Sequence, residues 1–340
     1  IHSSLIGTSN HFVQHDDGSC SWSRKIPEMT WVYGARDYVY DVQSVLELKG
    51  ISLPNLVPDR HTNAFRQLGF TGKVPWHMVL AQDEFKQCLV DVIQGITPAL
   101  KGIEGCGYLE TFVSKRNLLL SLSRASIDSL LLDRYIKEEK NPTSLSTLKT
   151  FLPSEDGLAR RCRYSQTSTT TGRLIVKSGP QVLTLPKKYR GIISSRFKGG
   201  RVMQVDFVSL EPRIARMVSG KNVPHDIYSD ISKSLFRSVI DRDATKQAVL
   251  CALYGVSHYR LSKQLPEGMN AKKTINQVKE YFAVSKLTRT LNNQLRDTGS
   301  MKNYFGRTIS PDGSAENVVL NHFIQSTAVD VALLGFEKLM

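Results

Sequence analysis

The sequence predicts an α+β fold in which helices dominate and strands are few and short. Apolar residues recur with helical spacing from residue 76 to 139, most clearly over 109–139, and again over 274–295. The run 201–206 is short and apolar and ends on a carboxylate, which predicts a buried strand. With 340 residues, of which 41% are hydrophobic and 22% charged, the chain is long enough for two or more globular domains.

The N-terminal part predicts short elements before the long helices begin. Residues 1 to about 35 mix polar turn residues with short apolar pieces, which is typical of short strands and loops. Apolar spacing over 38–48 favours a helix that Gly50 ends. Three prolines over 54–75 indicate a domain boundary or linker, and Pro142 stops the helical stretch that follows.

The second half predicts a turn, an extended segment and a series of helices. Residues 171–174 contain a glycine and predict the turn. Residues 180–186 begin and end with proline and predict the extended segment. A helix is expected to begin near Phe207, with Pro212 in its first turn, where a missing N–H is tolerated. Further helices are predicted at 225–236, 274–295 and 315–340.

One predicted helix carries chemically unlike groups on a single face. Arg242, Lys246, Leu250 and Tyr254 are spaced four residues apart, a drift of only ~40° per step around a helix, and Gly255 then ends it. Two cations can hold a polyanion, and the apolar and aromatic side chains can contact a flat ring. The face therefore suits a nucleoside triphosphate, although a surface helix with two solvated cations would show the same pattern.

The last predicted helix is mostly apolar, yet it places three amides on one stripe: Asn317, Asn321 and Gln325. Amides inside an apolar helix are costly unless they find partners. The minor groove of a duplex offers acceptors in every base pair, so such amides could check pair shape without reading sequence. Buried structural hydrogen bonds are the alternative.

Charge and cysteine usage favour a nucleic-acid partner in a reducing compartment. Lys and Arg number 45 against 31 acids, which leaves a net charge of +14 and favours a polyanion. No apolar run approaches the ~18–20 residues of a membrane span, so no membrane partner is expected. The chain begins with Ile1, as a fragment or processed piece does. Five cysteines without a C-x-x-C pair argue against disulfides and zinc: Cys20, Cys88, Cys106, Cys162 and Cys251.

Four motifs follow one another in an order that resembles family A DNA polymerases, the group of bacterial DNA polymerase I and many phage replicases. Residues 171–174 resemble T-G-R-L, and 205–213 resemble a segment ending in D-Y-S-Q-I-E-L-R. Residues 242–255 are similar to R-x-x-x-K-x-x-x-F-x-x-x-Y-G, and 321–330 to N-x-x-x-Q-G-T-A-x-D. The order across 165–340 makes the joint resemblance specific. It implies a phage or other viral replicase that works in the cytoplasm, at a nucleoid or viral replication site; an organelle is the alternative location.

The resemblance implies a right-hand polymerase fold with an antiparallel palm sheet, a helical thumb and helical fingers, preceded by the tail of an exonuclease-like domain. Upstream, Tyr33 and Asp37 resemble the Y-x-x-x-D motif of a 3′–5′ exonuclease. The implied domains are 1–60 (exonuclease remnant and connector), 61–165 (thumb), 166–220 (palm), 221–299 (fingers) and 300–340 (second part of the palm).

The resemblance also implies a catalytic centre for phosphoryl transfer from dNTPs. Two Mg²⁺ ions would be held by Asp206, the carbonyl of Phe207 and a second Asp. Arg242 and Lys246 would neutralise the triphosphate as further catalytic residues, and Glu211 would fill the space beneath the sugar.

Other carried-over roles concern base and duplex contacts. Leu250 stands where the family has Phe or Tyr, so an aliphatic side chain would lie against the nucleotide, while Tyr254 would contact the template base. The remaining residues would bind primer–template DNA. Arg173, Asn321 and Gln325 would contact the minor groove, and Asn317 and Gly255 would belong to the same DNA-binding set.

The chain departs from the family pattern at its end. The H-D-E motif with the second catalytic Asp would lie beyond Met340, so we expect a continuation or a separate chain to supply it. Two alternatives stay open. A single-subunit RNA polymerase shares much of the Arg242–Gly255 pattern, and a polymerase-like, non-catalytic DNA-binding subunit would need no second acid.

Overall fold

A computed structural model of the chain describes residues 1–35, 41–53, 59–70, 74–101, 103, 107–310 and 316–340. The chain divides into two compact units, Ile1–Arg116 and Asn117–Met340. Their boundary falls inside the range predicted as the thumb, and the five-part division stays a prediction.

The first unit contains short helices and a two-stranded antiparallel sheet, in which β1 (His11–Gln14) pairs with β2 (Cys20–Ser23). Its helices are α1 (Ser3–Ile6), α2 (Val42–Lys49), α3 (Asp59–Gln67), α4 (Trp76–Val79), α5 (Gln82–Leu100) and most of α6 (Leu109–Ser121). The side chains of Ile6, Leu46, Leu89 and Val92 form part of its core.

Within the first unit, Gly50 ends α2 and Arg116 forms ion pairs with two acidic residues. Gly50, with φ +67°, ends α2 as its sequence predicts. The guanidinium of Arg116 contacts Asp41 at 3.2 Å and Glu47 at 2.7 Å. Asp37, which belongs to the exonuclease-like pattern, lies outside the described residues.

The second unit holds the motifs of interest. Its helices after α6 are α7 (Ser129–Glu138), α8 (Pro142–Lys149), a 3₁₀ helix (Lys187–Ile192), α9 (Leu210–Val218), α10 (Ile227–Phe236), α11 (Arg242–Tyr254), α12 (Tyr259–Gln264), α13 (Ala271–Tyr281), α14 (Val284–Thr298) and α15 (Glu316–Glu337). Its strands pair antiparallel as β3 (Ser126–Ile127) with β6 (Ile193–Ser194), β4 (Arg163–Ser165) with β5 (Ile175–Ser178) and β7 (Met301–Lys302) with β8 (Thr308–Ile309). Helices thus dominate, as the α+β prediction requires.

Two apolar cores stabilise the second unit. Helices α10, α11, α13, α14 and α15 bury one core, in which Ala248, Val278 and Ile324 have no exposed surface. A second core lies under α7, α8 and the 3₁₀ helix and includes Leu132 and Phe151. Burying such side chains contributes roughly 1.5–3 kcal/mol each.

The long helix predicted over 274–295 is two helices in the structure. The chain turns at Phe282 and Ala283, where Ala283 takes a left-handed conformation with φ +51°. Phe282 is fully buried in the core at this corner. The single-helix prediction was wrong because core packing bends the chain at a position that neither glycine nor proline marks.

Helix α15 is the central apolar helix of the second unit. Its segment 318–337 is long and apolar enough to cross a membrane, with a mean hydropathy of 1.3, which the sequence-based expectation missed. However, α15 packs against α9, α11 and α14. It also buries Asp330, which is only 1% exposed. These contacts are those of a core helix.

Candidate active site

Helix α11 begins and ends where its sequence predicts. The carboxylate of Asp241 accepts the backbone N–H of Ala244 at 2.7 Å and so caps the first turn. Gly255 follows the last turn with φ +66°, a conformation that glycine adopts without strain. Local signals at both termini therefore determine where α11 begins and ends, and so which residues lie on its surface.

The predicted stripe on α11 lies on the surface that the core leaves open. Arg242 and Lys246 are exposed, while Leu250 and Tyr254 are half-buried. The opposite face, which includes Ala248, packs into the core. The structure therefore brings two cations, an aliphatic side chain and an aromatic ring onto one accessible surface.

Tyr254 joins this stripe to α9. Its hydroxyl donates a hydrogen bond to Oε2 of Glu211 at 2.6 Å. Burial, reinforced by this hydrogen bond, raises the pKa of Tyr254 well above its ordinary value, so the hydroxyl stays a neutral donor. Glu211, in the first turn of α9, is thereby held next to the end of α11.

Arg242 has two neighbours that the sequence did not reveal as part of the site. Its Nε lies 3.5 Å from Oδ2 of Asp226, and its guanidinium carbon lies 5.0 Å from the ring centroid of Tyr228. Burial acts to raise the pKa of Asp226, but hydrogen bonds from Ser229 and the charge of Arg242 outweigh it and lower that pKa. The sequence marks Asp226 as a capping residue of α10, but it does not indicate that the Asp226 carboxylate contacts Arg242.

The segment before α9 differs from its prediction. Residues 201–206 form no strand, and they are exposed rather than buried. Val202 is 57%, Met203 85% and Val205 56% exposed. An extended apolar segment needs a neighbouring strand to bury it, and no described residue provides one. The prediction of a buried strand was therefore wrong for this structure, and Asp206 is exposed with it.

Phe207 anchors the end of this segment on α15. Its ring contacts that of Phe336, with centroids 5.5 Å apart. A Cβ added to Gly335 would stand 2.7 Å from the tip of the Phe207 ring, so only glycine leaves room for this contact. The backbone N–H of Phe207 donates to Oδ1 of Asp206 at 2.9 Å, which links the catalytic candidate to the anchor.

The described residues do not by themselves fit a two-ion magnesium site. Within the part of the chain that the structure describes, no group of three or more His, Cys, Asp or Glu side chains could hold a metal ion. Asp226 and Asp241 cap helices, and Asp230 accepts a tyrosine hydroxyl from α13 at 2.6 Å. Asp330 accepts from Asn303 at 2.7 Å. Asp206 therefore belongs to no group of three or more metal-binding side chains among the described residues.

The predicted duplex contacts lie on a turn and on α15. Arg173 is exposed beside Gly172, whose φ of +75° ends a turn over residues 169–172 rather than the predicted 171–174. Asn321 and Gln325 are half-buried on α15, and the buried Oδ1 of Asn321 has no hydrogen-bond partner among the described residues. The side chain of Asn317 lies outside the described residues. Their roles toward DNA stay predictions.

The fold of this chain has a counterpart among solved structures. Among solved structures, the chain is similar to the POL domain of Pol1 from M. smegmatis in complex with DNA primer-template and dNTP, with a TM-score of 0.56, 16% identity and coverage of 87% of this chain and 70% of that chain. This likeness shows the fold of a polymerase domain.

The sequence family is established independently of that fold. The profile of DNA polymerase family A matches residues 107–338, which is more than half of the chain. This protein belongs to DNA polymerase family A, so the predicted resemblance to that family is confirmed. A comparison with curated proteins returned no match.

Proposed function

We propose that this chain is the polymerase part of a template-directed DNA polymerase that adds dNTPs to a primer 3′ end with the help of two Mg²⁺ ions. The observation that carries the proposal is the stripe on α11, in which Arg242 and Lys246 are exposed and Leu250 and Tyr254 are half-buried. Tyr254 joins this stripe to Glu211. Membership of DNA polymerase family A supports it.

Arg242 and Lys246 bind the triphosphate in this proposal. Residues four apart on a helix have Cβ atoms ~5–6 Å apart, so both cations can reach one polyphosphate. Both side chains are exposed. Charge-assisted hydrogen bonds to the phosphate oxygens hold the nucleotide and stabilise the negative charge that builds on the leaving pyrophosphate.

Leu250, Tyr254 and Glu211 select the nucleotide. Leu250 lies against the incoming base through an aliphatic contact, and the Tyr254 ring supports the template base. The hydrogen bond from Tyr254 fixes Glu211 beneath the sugar, where a ribose 2′-hydroxyl would meet both a steric clash and a loss of solvation.

Asp206 supplies one carboxylate for magnesium, and the carbonyl of Phe207 lies next to it in the chain. When bound, the ions would activate the primer 3′-hydroxyl and stabilise the pyrophosphate. A second acid comes, in this proposal, from a continuation of the chain or from a separate chain. The exposed apolar side chains of Val202, Met203 and Val205 support this, since a strand with a nearby acid could pair there.

Duplex contacts complete the proposal. Arg173, Asn321 and Gln325 offer donors to the acceptors of the minor groove at the primer end. Asn317 and Gly255 belong to the same DNA-binding set. The net charge of +14 favours phosphate contacts whose strength falls as salt rises.

Primer extension with Mg²⁺ tests the proposal. We expect no extension by the 340-residue chain alone, and extension when its continuation or partner supplies the second acid. Asp206→Ala should abolish that extension while primer–template binding persists, because only a metal ligand is lost. Efficient extension by the short chain alone would contradict the need for a second acid, and near-normal extension with Asp206→Ala would contradict the site.

A second candidate function is a polymerase-like subunit that binds DNA without catalysis. Among the described residues, Asp206 belongs to no group of three or more side chains that could hold a metal ion, which favours this candidate. This candidate predicts primer–template binding but no incorporation of dNTPs or rNTPs with any continuation or partner. Incorporation of rNTPs in preference to dNTPs would instead indicate an RNA polymerase.

A further inference from the structure

Arg307 is a buried cation that no role described so far uses. It is only 7% exposed. Its Nη2 donates to the backbone oxygen of Gln166 at 2.9 Å, whereas Nε and Nη1 have no hydrogen-bond partner among the residues that the structure describes. Burying a guanidinium against one neutral acceptor disfavours folding. An uncharged side chain would stabilise this position better, so Arg307 calls for another explanation.

Arg307 lies against the turn that carries Arg173. A Cβ added to Gly172 would stand 2.5 Å from Cζ of Arg307, so the guanidinium packs directly on the Gly172 backbone. The turn is closed by the Gly172 N–H, which donates to the Thr169 oxygen at 3.0 Å. The Thr169 hydroxyl in turn donates to the Arg173 oxygen at 3.0 Å. Arg307 therefore restrains the backbone directly before Arg173.

The other side of this arrangement is α15. Arg307 ends a turn over residues 303–307, and its backbone N–H donates to Oδ1 of Asn303 at 2.9 Å. Nδ2 of Asn303 donates to Oδ2 of Asp330 on α15 at 2.7 Å. Asn303 is 4% and Asp330 1% exposed. A buried polar path thus runs from α15 through Asn303 and Arg307 to the turn that carries Arg173.

We propose that Arg307 is a positioning residue for Arg173. It fixes the turn at 169–172, directly before Arg173, to α15, so that Arg173 and the amides of Asn321 and Gln325 meet a duplex in one fixed register. The inference rests on the proposed function, which assigns these three side chains to the minor groove. Donors that check pair shape must be held rigidly by a supporting layer of contacts. A lysine lacks the planar fork that reaches Gln166 while lying flat on Gly172.

The first test needs no DNA. Amide hydrogen exchange at Gly172 is compared in the wild-type chain, Arg307→Met, Arg307→Lys and the control Arg163→Met, which removes an exposed arginine of the same unit. We expect both Arg307 variants to speed exchange at Gly172 by about tenfold, with exchange in α11 and the melting temperature maintained. Arg163→Met should change neither. Unaltered exchange at Gly172, or faster exchange throughout the core, would overturn the inference.

The second test measures binding of primer–templates with a matched or a mismatched 3′-terminal pair. We expect Arg173→Ala and Arg307→Met to reduce the preference for the matched end by the same factor, and the double variant to reduce it no further. Factors that multiply in the double variant would show that Arg307 does not act through Arg173. A wild-type chain that binds no primer–template would overturn the proposed function instead, and Gly172 exchange would still decide whether Arg307 holds the turn.

Discussion

Removing the Tyr254 hydroxyl should weaken the discrimination between deoxyribonucleotides and ribonucleotides. The 2.6 Å hydrogen bond from Tyr254 to Glu211 joins a neutral donor to a carboxylate at a half-buried site. Hydrogen bonds to charged groups contribute ~1.5–3 kcal/mol, which corresponds to about a 10- to 150-fold preference for the held position of Glu211. Tyr254→Phe keeps the ring and loses this restraint, so sugar discrimination should fall by at most that factor.

The assay compares binding of the next correct dNTP and of the matching rNTP to the chain on a dideoxy-terminated primer–template. Because it needs no chemistry, it applies to the 340-residue chain as well as to a complete assembly. Glu211→Ala is the matched variant, and it should relax discrimination at least as far as Tyr254→Phe. The double variant should resemble Glu211→Ala alone, since both changes act through one carboxylate.

Two results would refute this reasoning. Unchanged discrimination in Glu211→Ala would show that Glu211 does not lie beneath the sugar. Full discrimination in Tyr254→Phe, together with a loss in Glu211→Ala, would show that the hydrogen bond is dispensable for holding the carboxylate.

Three further substitutions give separate tests. Leu250→Tyr should tighten dNTP binding and favour dideoxy terminators in extension assays, since a ring adds contacts that an aliphatic side chain lacks; equal use of terminators would place this face away from the nucleotide. Gly335→Ala should maintain or raise the melting temperature, because alanine favours helices by ~0.5–1 kcal/mol. Its Cβ nevertheless displaces the Phe207 ring, so amide hydrogen exchange next to Phe207 should be faster. Adding Phe207→Leu should reverse this faster exchange. Asp226→Asn keeps the cap of α10 but removes the ion pair with Arg242, so dNTP should bind up to about fivefold tighter at neutral pH. Because the pKa of Asp226 is lowered, the difference in dNTP affinity from wild type should persist until the pH falls through that low pKa. A constant difference at all pH values would exclude the ion pair as its cause.

Local signals explain why the residues and the end of α11 could be predicted. Its helical residues and its end at Gly255 lie within one short stretch, and the structure reproduces them; the cap at Asp241 directly before that stretch was not predicted. The shared face of Arg242, Lys246, Leu250 and Tyr254 followed from spacing alone. Its hydrogen bond to Glu211 did not, because the two residues are 43 positions apart and nothing in their spacing indicates contact.

Features that depend on distant partners could not be predicted. The short apolar run over 201–206 indicated a buried strand, but a strand is buried only when a neighbour covers it, and here the segment is exposed. The break at Ala283 follows from how Phe282 packs in the core rather than from a helix-ending residue. Likewise, Asp226 was readable as a cap but not as the partner of Arg242.

The exposed apolar side chains of Val202, Met203, Val205 and Val208 also have consequences for how the chain behaves at high concentration. Val208 is 66% and Met203 85% exposed, and an extended segment of this kind can pair with the same segment of another molecule. A net charge of +14 keeps molecules apart at low ionic strength. Salt shortens the reach of that repulsion to roughly 8–10 Å and leaves the apolar attraction intact. Unlike most basic proteins, whose solubility improves as salt weakens their contacts with polyanions, this chain should self-associate more as ionic strength rises.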